Sequence, residues 1–321
     1  MFGSGANTFS ESARRSVQRF VRAGLFFCVA AFAGAVLAGP INVPNGSFES
    51  PATPFVSLNF DSWQRTPQPA WWDENASGPW NNLTGIFKNT SPSSPDHIAN
   101  CDGNQAAWLF ANPEAGLFQD YDSVDWNDPE PAHAFDAKFE AGKSYRLSVG
   151  VIGGGYNMPA GSPLEASLYY RDAASNKVIV AATTITHSAA VFSSRTQLVY
   201  FEVTTAIVQT GDSWAGKQIG IQLLSTVSPE MAGGYWDFDD VRLSSMQSPV
   251  FAASTVTNGH FQFTLRSEPG IAFEILASTN LALPPPSWMR LGTLTNETGT
   301  VTFVDTAGNF DQRFYQVRQV P

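Results

Sequence analysis

Short stretches in which apolar and polar residues alternate recur along most of the chain. The clearest runs from Tyr145 to Val149, and five more segments share its period of two: Leu164 to Arg171, Val178 to Thr186, Gln197 to Thr204, Gln218 to Leu224 and Tyr235 to Leu243. Because successive side chains of a strand point to opposite faces, this pattern predicts half-buried β-strands. Turns rich in Gly, Asn, Asp and Pro separate the segments. The sequence therefore predicts an all-β protein built around an antiparallel jelly-roll β-sandwich.

A second, smaller β-sandwich domain is predicted near the C-terminus. His260 to Arg266 and Ile271 to Ala277 flank Glu268-Pro269-Gly270, a sequence typical of a β-hairpin turn. Further strand-like segments follow at Trp288 to Leu294, Thr300 to Val304 and Arg313 to Val317. The predicted organisation has four parts: a signal peptide at 1–38, the jelly-roll domain at 39–244, a linker at 245–249 and the small β-sandwich at 250–321.

Residues 1–38 have the pattern of a secretory signal peptide. Several arginines precede an uninterrupted run of apolar and small residues from Ala23 to Ala38, and Val36-Leu37-Ala38 fits the cleavage rule. The run is shorter than the roughly 20 residues of a membrane-spanning helix. We therefore expect export to the extracellular space or the cell surface, with no membrane insertion after cleavage. Cys101 would then be the single remaining cysteine, so no intramolecular disulfide is expected.

Charge narrows the classes of partner. The whole chain carries a net charge of −10, and removal of residues 1–38 makes this balance more acidic. An acidic surface argues against nucleic acid or an anionic membrane surface as the partner. It is compatible with neutral sugars and with calcium.

Four short motifs carry a resemblance to a known family. They are NGSFESP at 45–51, GLFQDY at 116–121, FEAGKSYRLSVGV at 139–151 and YWDFDDVRLS at 235–244. In this order they resemble the galactose-binding-like jelly-roll modules of the carbohydrate-binding-module type, across residues 41–244. The resemblance implies a module that binds a polysaccharide or glycan and performs no chemistry. It also implies a structural calcium ion where the first and last strands meet, with Glu49 and Asp239 as ligands and Asp240 as a weaker candidate.

Elementary physics supports the calcium prediction in part. With a period of two, Asp237 and Asp239 are expected on the same side of their strand as Val241 and Leu243, which would face the core. A carboxylate near a core is costly unless it is paired or bound to a cation, and calcium prefers six to eight oxygen ligands. The alternative is that these acids accept hydrogen bonds from backbone N–H groups or pair with Arg242.

Tryptophans mark the predicted ligand site. Residues 61–105 are rich in Trp, Pro, Asn and Ser and predict a long loop region. Trp71, Trp72 and Trp80 are the predicted ligand contacts, because flat aromatic rings stack on the C–H faces of sugars. The alternative is that these side chains fix a long loop to the sandwich, since each can bury ~150–250 Å².

The sequence contains no recognisable catalytic motif. Its four histidines are scattered, and neither a metal-binding motif nor a nucleophile elbow is found. A glycosidase needs two placed carboxylates, and no pair of acids is singled out. We therefore expect a non-catalytic, secreted glycan-binding protein and not an enzyme; the alternative is a structural or adhesive surface protein that mediates protein contacts. The ligand and the oligomeric state stay open.

The C-terminal segment carries a resemblance of its own. The pieces FEILASTNL, Trp288, FVDT and RFYQV are similar to a C-terminal β-sandwich add-on of large secreted proteins from Verrucomicrobia and related bacteria. This resemblance informs the architecture and implies no activity.

Overall fold

The computed structural model describes residues 39–130, 135–247, 249–257, 260–267, 269–307, 310 and 312–320. The predicted signal peptide lies outside these residues, so it stays a prediction. The chain divides into two compact units, Ala38–Ser248 and Pro249–Pro321. The domain bounds proposed from the sequence are not tested by this division and remain a prediction.

Twelve strands build the N-terminal unit. They are β1 (Gly39–Ile41), β2 (Val56–Ser57), β3 (Gln64–Arg65), β4 (Thr84–Lys88), β5 (Gln105–Phe110), β6 (Gly116–Gln119), β7 (Lys143–Gly155), β8 (Pro163–Arg171), β9 (Lys177–Thr186), β10 (Val199–Thr204), β11 (Gly220–Ser225) and β12 (Tyr235–Gln247). The first sheet has the order β10-β7-β12-β5-β4-β2, with β1 alongside β12, and the second sheet has the order β3-β6-β11-β8-β9. The prediction of an antiparallel jelly-roll β-sandwich is confirmed.

The core of the N-terminal unit lies between the two sheets. Leu147, Val149 and Val151 of β7 face it from the first sheet, while Leu164 and Leu168 of β8 face it from the second. The intervening residues of each strand point to the outer face of their sheet, because side chains alternate along a strand. The side chains on the two outer faces therefore take no part in the core between the sheets.

A β-bulge in β12 decides which acids face the core. Pairing with β7 shifts by one residue between Asp239 and Arg242, and Asp240 has a left-handed φ of 56°. Trp236 and Phe238 before the bulge, and Val241 and Leu243 after it, are core residues. The prediction that Asp237 lies on the same side as Val241 is therefore wrong, because the extra residue reverses the alternation. Asp237 and Asp239 point to the outer face of the first sheet.

The first and last strands of the N-terminal unit meet, as the motifs at 45–51 and 235–244 predict. Strand β1 pairs antiparallel with β12, with Gly39 opposite Ser245, and the backbone N–H of Val241 donates to the carbonyl of Gly46 at 2.9 Å. Strand β12 continues to Gln247, opposite Lys143 of β7. The first residues of the predicted linker are thus part of a paired strand.

The segment predicted as a long loop contains regular structure. Strand β4 lies within it and pairs with β5 over its whole length, and a short helix, α1 (Glu74–Ser77), precedes a 3₁₀ turn at Trp80–Leu83. Two further 3₁₀ turns, Pro229–Met231 and Pro285–Ser287, are found elsewhere. Within the described ranges, no helix has the length and apolar character needed to cross a membrane.

Six strands build the C-terminal unit. They are β13 (Val250–Thr257), β14 (His260–Arg266), β15 (Ile271–Ser278), β16 (Met289–Asn296), β17 (Thr300–Asp305) and β18 (Phe314–Val320). They form two three-stranded sheets, β13-β14-β17 and β16-β15-β18, around a core that includes Phe263, Leu265, Phe273 and Ile275. A second, smaller β-sandwich is confirmed. The predicted hairpin is wrong, since β14 and β15 belong to different sheets.

Candidate active site

Asp237 is a buried carboxylate in the middle of the first sheet. Strand β12 places it between Trp108 of β5 and Ile152 of β7, and its exposed fraction is 8%. Among the described residues, Arg195 is its one ionic neighbour within 4 Å, with Nη2 at 3.9 Å from Asp237 Oδ2. In the part of the chain that the structure describes, no hydrogen bond to the Asp237 side chain is found. A buried carboxylate in this state is costly and therefore unusual in a structural role.

Aromatic rings surround this carboxylate on the outer face. Tyr235 lies two residues before Asp237 on β12, and its ring centroid is 5.9 Å from that of Phe110. A Cβ on Gly155 would lie 2.5 Å from the Tyr235 ring, and Gly85 likewise leaves no room for a Cβ beneath the ring of Trp108. Glycine at these two positions lets the rings lie flat against the sheet.

Arg195 connects the acid to the rim of the site. Its Nη1 donates to the carbonyl of Gly154 at 2.8 Å, and its Nη2 donates to the Tyr235 hydroxyl at 3.2 Å. The guanidinium also lies 5.4 Å from the centroid of the Tyr235 ring. Since nearly half of the Arg195 side chain is exposed, this rim is open to solvent and to a ligand.

Burial controls the proton on Asp237. Loss of solvation raises the pKa of the Asp237 carboxyl to about 7, and the positive charge of Arg195 opposes this rise. At neutral pH the group is therefore divided between its acid and its carboxylate forms. A carboxyl in that state can act as a general acid or a general base.

Asp239 lies on the same face and has a different environment. It is fully buried, and its Oδ2 accepts from the backbone N–H of Asp102 at 2.6 Å while its Oδ1 accepts from that of Asp240 at 2.7 Å. Burial raises the pKa of Asp239 to about 7, although the hydrogen bonds from Asp102, Cys101 and Asp240 act in the opposite direction. Because its oxygens accept hydrogen bonds from the backbone, Asp239 fixes the segment that begins at Cys101.

Glu49 holds the other end of that segment. Its Oε1 accepts from the backbone N–H groups of Asn104 and Gln105, each at 2.7 Å. Glu49 and Asp239, the predicted calcium ligands, thus bond to neighbouring residues of one short loop. Within the described ranges, no group of three or more His, Cys, Asp or Glu side chains could hold a metal ion. Backbone carbonyl oxygens, which also bind calcium, are not among these side chains, so the calcium site stays a prediction.

The three tryptophans predicted as ligand contacts form one cluster. The rings of Trp72 and Trp80 are 5.0 Å apart and those of Trp71 and Trp72 are 5.8 Å apart, all edge to face. Trp80 is buried in the core, while Trp71 is half exposed. The indole N–H groups of Trp72 and Trp80 donate to the carbonyls of Gly78 and Thr66. Trp80 belongs to the core between the sheets and Trp72 packs against that core. Two of the three rings therefore fix the loop to the sandwich, and ligand contact by the cluster stays a prediction.

Sequence reasoning did not single out the residues around Asp237. Trp108, Phe110 and Arg195 come from segments that are distant along the chain, and their proximity depends on strand order. One usable signal is an acid between two large apolar residues in a strand, as in Trp236-Asp237-Phe238. That pattern places the acid on the face opposite two core aromatics.

Comparisons with solved structures find jelly-roll proteins. A Stig cyclase, Fisc, from Fischerella sp. TAU in complex with (3Z)-3-(1-methyl-2-pyrrolidinylidene)-3H-indole is 20% identical, with a TM-score of 0.44, and the match covers 66% of this chain and 99% of that one. A cyclase from Fischerella sp. TAU in complex with 4-(1H-Indol-3-yl)butan-2-one matches at 20% identity over the same shares, with a TM-score of 0.46. The CBM22-1 xylan-binding domain from Paenibacillus barcinonensis Xyn10C is 12% identical, with a TM-score of 0.34, over 68% of this chain and 99% of that one. No match is found among curated proteins.

A sequence profile of the HpiC1-like family, described as HpiC1 cyclase, matches residues 39–244. This finding overturns the functional expectations. The predictions of a non-catalytic carbohydrate-binding protein and of a polysaccharide partner are wrong, because the profile describes a cyclase and not a sugar-binding module. The alternative prediction of a structural or adhesive protein is wrong for the same reason. The prediction that the chain is not an enzyme is wrong for the same reason. Since the profile covers well over half of the sequence, this chain belongs to the HpiC1-like family.

Proposed function

We propose that the N-terminal unit is a cyclase that closes a ring in a small, largely apolar molecule, with Asp237 as the general acid. The observation that carries this proposal is the state of Asp237: a buried carboxyl, without a hydrogen bond in the described structure, on an aromatic face. The family profile supports the reaction class. The geometry supports the role of the residue.

The proposed reaction needs a proton and no redox partner. The protonated Asp237 carboxyl donates its proton to an unsaturated carbon or basic atom of the substrate, which leaves a positive charge on the substrate and a carboxylate on Asp237. An electron pair of a second double bond or of a nucleophilic atom then forms the ring bond. Loss of a proton from the cyclised cation to the carboxylate restores the acid, so the product is an isomer of the substrate.

The surroundings of Asp237 fit a cationic intermediate. The faces of Tyr235 and Trp108 carry the negative part of an aromatic quadrupole, which stabilises a nearby cation by about 0.5–2 kcal/mol per contact. Arg195 positions Tyr235 through its hydroxyl and limits the rise in the pKa of Asp237. Its own charge disfavours a cation close to the guanidinium, so the cation would develop on the Trp108 side.

The test compares the wild-type protein with Asp237→Asn. Both are incubated with a panel of small aromatic molecules that carry an alkene, and products of unchanged mass with new retention times are measured by liquid chromatography and mass spectrometry. We expect Asp237→Asn to lower kcat by about 10²–10⁴-fold with a smaller change in KM, because an amide cannot donate the proton. Asp102→Asn, an exposed acid on the same face, is the matched control and should retain activity.

Binding is measured in parallel so that the roles can be separated. 4-(1H-Indol-3-yl)butan-2-one is a suitable probe, and quenching of tryptophan fluorescence reports its affinity. Turnover that survives in Asp237→Asn would contradict the role of Asp237 as the acid. Equal binding by both proteins with loss of turnover in the variant would support it.

The C-terminal unit is outside the family profile, which ends at residue 244. We propose that it is an accessory β-sandwich, as its sequence resemblance suggests, and that the chain is exported through residues 1–38. Fusion of those residues to a reporter enzyme, followed by assay of the culture medium, tests the export proposal.

A further inference from the structure

A second group of polar and charged side chains lies on the outer face of the second sheet. Ser167, Tyr169 and Arg171 alternate along β8 with the core residues Leu168 and Tyr170, so they point away from the core. This face belongs to the sheet opposite the one that carries Asp237. The cluster is therefore separate from the candidate active site and does not depend on the proposed function.

Two cations lie directly opposite each other in this cluster. Arg171 of β8 and Lys177 of β9 are register partners, and side chains at such positions are close neighbours. Both lie over the same ring: Lys177 Nζ is 3.4 Å and Arg171 Cζ is 5.6 Å from the centroid of Phe118. Like charges in direct opposition destabilise a sheet, so this arrangement requires compensation.

The available carboxylate compensates one of the two cations. Asp120 Oδ2 accepts from Arg171 Nε at 2.8 Å and from the Tyr169 hydroxyl at 2.7 Å, and Arg171 Nη2 lies 2.7 Å from the same oxygen. Lys177 Nζ donates to the neutral Gln222 Oε1 at 2.7 Å. Across the described ranges, no ion pair to Lys177 is found within 4 Å, so the protonated form of Lys177 has no carboxylate in direct contact.

The floor beneath the two cations is tightly built. Tyr169 is fully buried, because its ring lies on Gly220, where there is no room for a Cβ. Ser167, opposite Gln222 in the register, is also fully buried, and its hydroxyl has no hydrogen-bond partner. A buried hydroxyl without a partner is unusual in a finished structure and marks a site that a polar ligand or a water molecule completes.

We propose that Arg171 and Lys177 form a binding site for a small oxyanion, either inorganic phosphate or the carboxylate of a small organic acid. Both ligands offer the negative oxygens that a guanidinium and an ammonium bind with charge-assisted hydrogen bonds. Gln222, which accepts from Lys177 Nζ, supplies a neutral polar group at the floor, and Ser167 lies opposite Gln222 in the register.

The electrostatics of Lys177 agree with this assignment. Burial, and then the charge of Arg171, lower the pKa of the Lys177 ammonium to about 7, although the negative charge of Asp120 opposes this shift. The faces of Phe118 and Tyr169 stabilise the ammonium in part, but neutral rings cannot remove its charge. An oxyanion between the two cations would stabilise the charged form of Lys177. Binding of a carboxylate, which stays ionised in this range, is therefore expected to strengthen as pH falls toward 6; phosphate itself gains a proton in the same range, so it carries no such expectation.

The test measures binding to the full chain at pH 6.5 and constant ionic strength, with chloride as the reference anion. Sodium phosphate and sodium benzoate are titrated separately by calorimetry, which distinguishes the two ligand sources. We expect saturable binding of at least one of them to the wild type. Lys177→Met should weaken it at least tenfold, while Lys177→Arg, which keeps the charge, should retain most of it. Lys217→Met, at an exposed lysine outside the cluster, is the matched control.

A second measurement does not depend on a variant that folds. Lysines of the wild-type protein are acetylated with acetic anhydride, with and without phosphate or benzoate, and each site is quantified by peptide mass spectrometry. Selective protection of Lys177 relative to Lys217 would support the proposal. Absence of saturable binding below about 10 mM of either anion, or equal binding by Lys177→Met, would overturn it.

Discussion

Two acids on one face of β12 show how hydrogen bonding separates a reactive group from a structural one. Asp237 and Asp239 are both buried, and burial raises both pKa values to about 7. Asp239 accepts two backbone N–H groups, which fix its position. Asp237 has Arg195 at 3.9 Å as its ionic neighbour, so its carboxyl is available to a ligand. This contrast at the scale of single residues is the basis for assigning the acid role to Asp237.

The raised pKa of Asp237 predicts how stability depends on pH. From about pH 4 to pH 7 the native state keeps a proton on Asp237 that the unfolded state has lost, since the ordinary value is 3.8. Native protein then binds more protons, so this group's contribution to the free energy of unfolding falls by up to about 1.4 kcal/mol per pH unit and levels off above pH 7. Asp237→Asn removes this fall and is expected to be more stable than the wild type at pH 8.

Urea unfolding at pH 5, 6, 7 and 8 measures this difference. Asp239 titrates in the same range, so the variant keeps part of the pH dependence. Asp96→Asn, at an exposed acid that contributes to neither pKa shift, serves as the control and should follow the wild type. A variant curve parallel to that of the wild type would show that the native pKa of Asp237 is close to 4.

The calcium prediction belongs to the same scale and has its own test. If calcium binds beside Glu49 and Asp239, it raises the melting temperature of the native state by mass action. The melting temperature of the full chain is measured in EDTA and in 1–10 mM calcium, and Glu49→Gln should lose any calcium-dependent rise. Magnesium at equal concentration is the control. A wild type with equal melting temperatures in EDTA and calcium would remove the basis for this site, provided that EDTA-treated protein contains no calcium by elemental analysis.

At the scale of elements, the bulge in β12 sets the direction of every side chain around the site. Asp240 adopts φ 56°, a region that Asn and Asp tolerate and β-branched residues do not. Its carboxylate also accepts from the Tyr200 hydroxyl at 2.8 Å and pairs with Arg242. Asp240→Asn keeps one acceptor oxygen and tolerates this φ, so it should cost about 1–2 kcal/mol, whereas Asp240→Val loses both acceptors and is strained at this φ, so it should cost about 3 kcal/mol or more. Chemical denaturation distinguishes the two, and equal losses would show that φ at this position is not a constraint.

The contact between β7 and the ring of Tyr235 gives a second prediction for elements. A Cβ on Gly155 would lie 2.5 Å from the Tyr235 ring and 2.6 Å from its carbonyl oxygen, so Gly155→Ala must displace β12 or the ring. We expect a loss of about 1–3 kcal/mol in stability and a lower kcat for cyclisation. Gly211→Ala, where a Cβ would meet nothing within 4 Å, is the matched control. Activity equal to that of the wild type in Gly155→Ala would mean that the Tyr235 ring has no positioning role.

The alternation of apolar and polar residues predicts strands where its period of two is regular. It does not predict how the chain pairs where that period is broken or where a turn begins. Strands β7 to β11, and β12 on each side of its bulge, correspond to the alternating segments of the sequence, and the sandwich is predicted from them. The hairpin around Pro269 was predicted from turn chemistry, but β14 pairs with β13 and β17 instead, because turn residues do not specify whether the chain returns to the same sheet. The bulge at Asp240 does leave a signal in the sequence, because the apolar residues Phe238 and Val241 are three positions apart where a regular strand would have them two apart. A strict period of two across this segment overlooks that change of phase.

The whole molecule explains why the function could not be predicted from motifs. Trp108, Arg195 and Asp237 lie on strands or loops far apart in sequence, and the order of strands in the first sheet brings them together. The motifs that resemble carbohydrate-binding modules report the jelly-roll fold, which the structure confirms, and the same fold accommodates unrelated functions. Assignment of the site required the positions of side chains on the outer face.

The two units have separate cores, and this predicts two unfolding transitions. Leu147 is fully buried in the N-terminal core and Phe273 is fully buried in the C-terminal core. Since a compact unit with its own core can fold as one cooperative body, Phe273→Ala should lower the stability of one transition by about 3–5 kcal/mol and leave the other in place. Leu147→Ala should affect the other transition, by about 2–5 kcal/mol.

Differential scanning calorimetry measures both transitions, with cyclase activity followed at each temperature. We expect activity to disappear with the transition that Leu147→Ala lowers, because Asp237 and its neighbours belong to the N-terminal unit. Loss of activity with the Phe273→Ala transition would instead show that the C-terminal unit is needed to hold the active site in place.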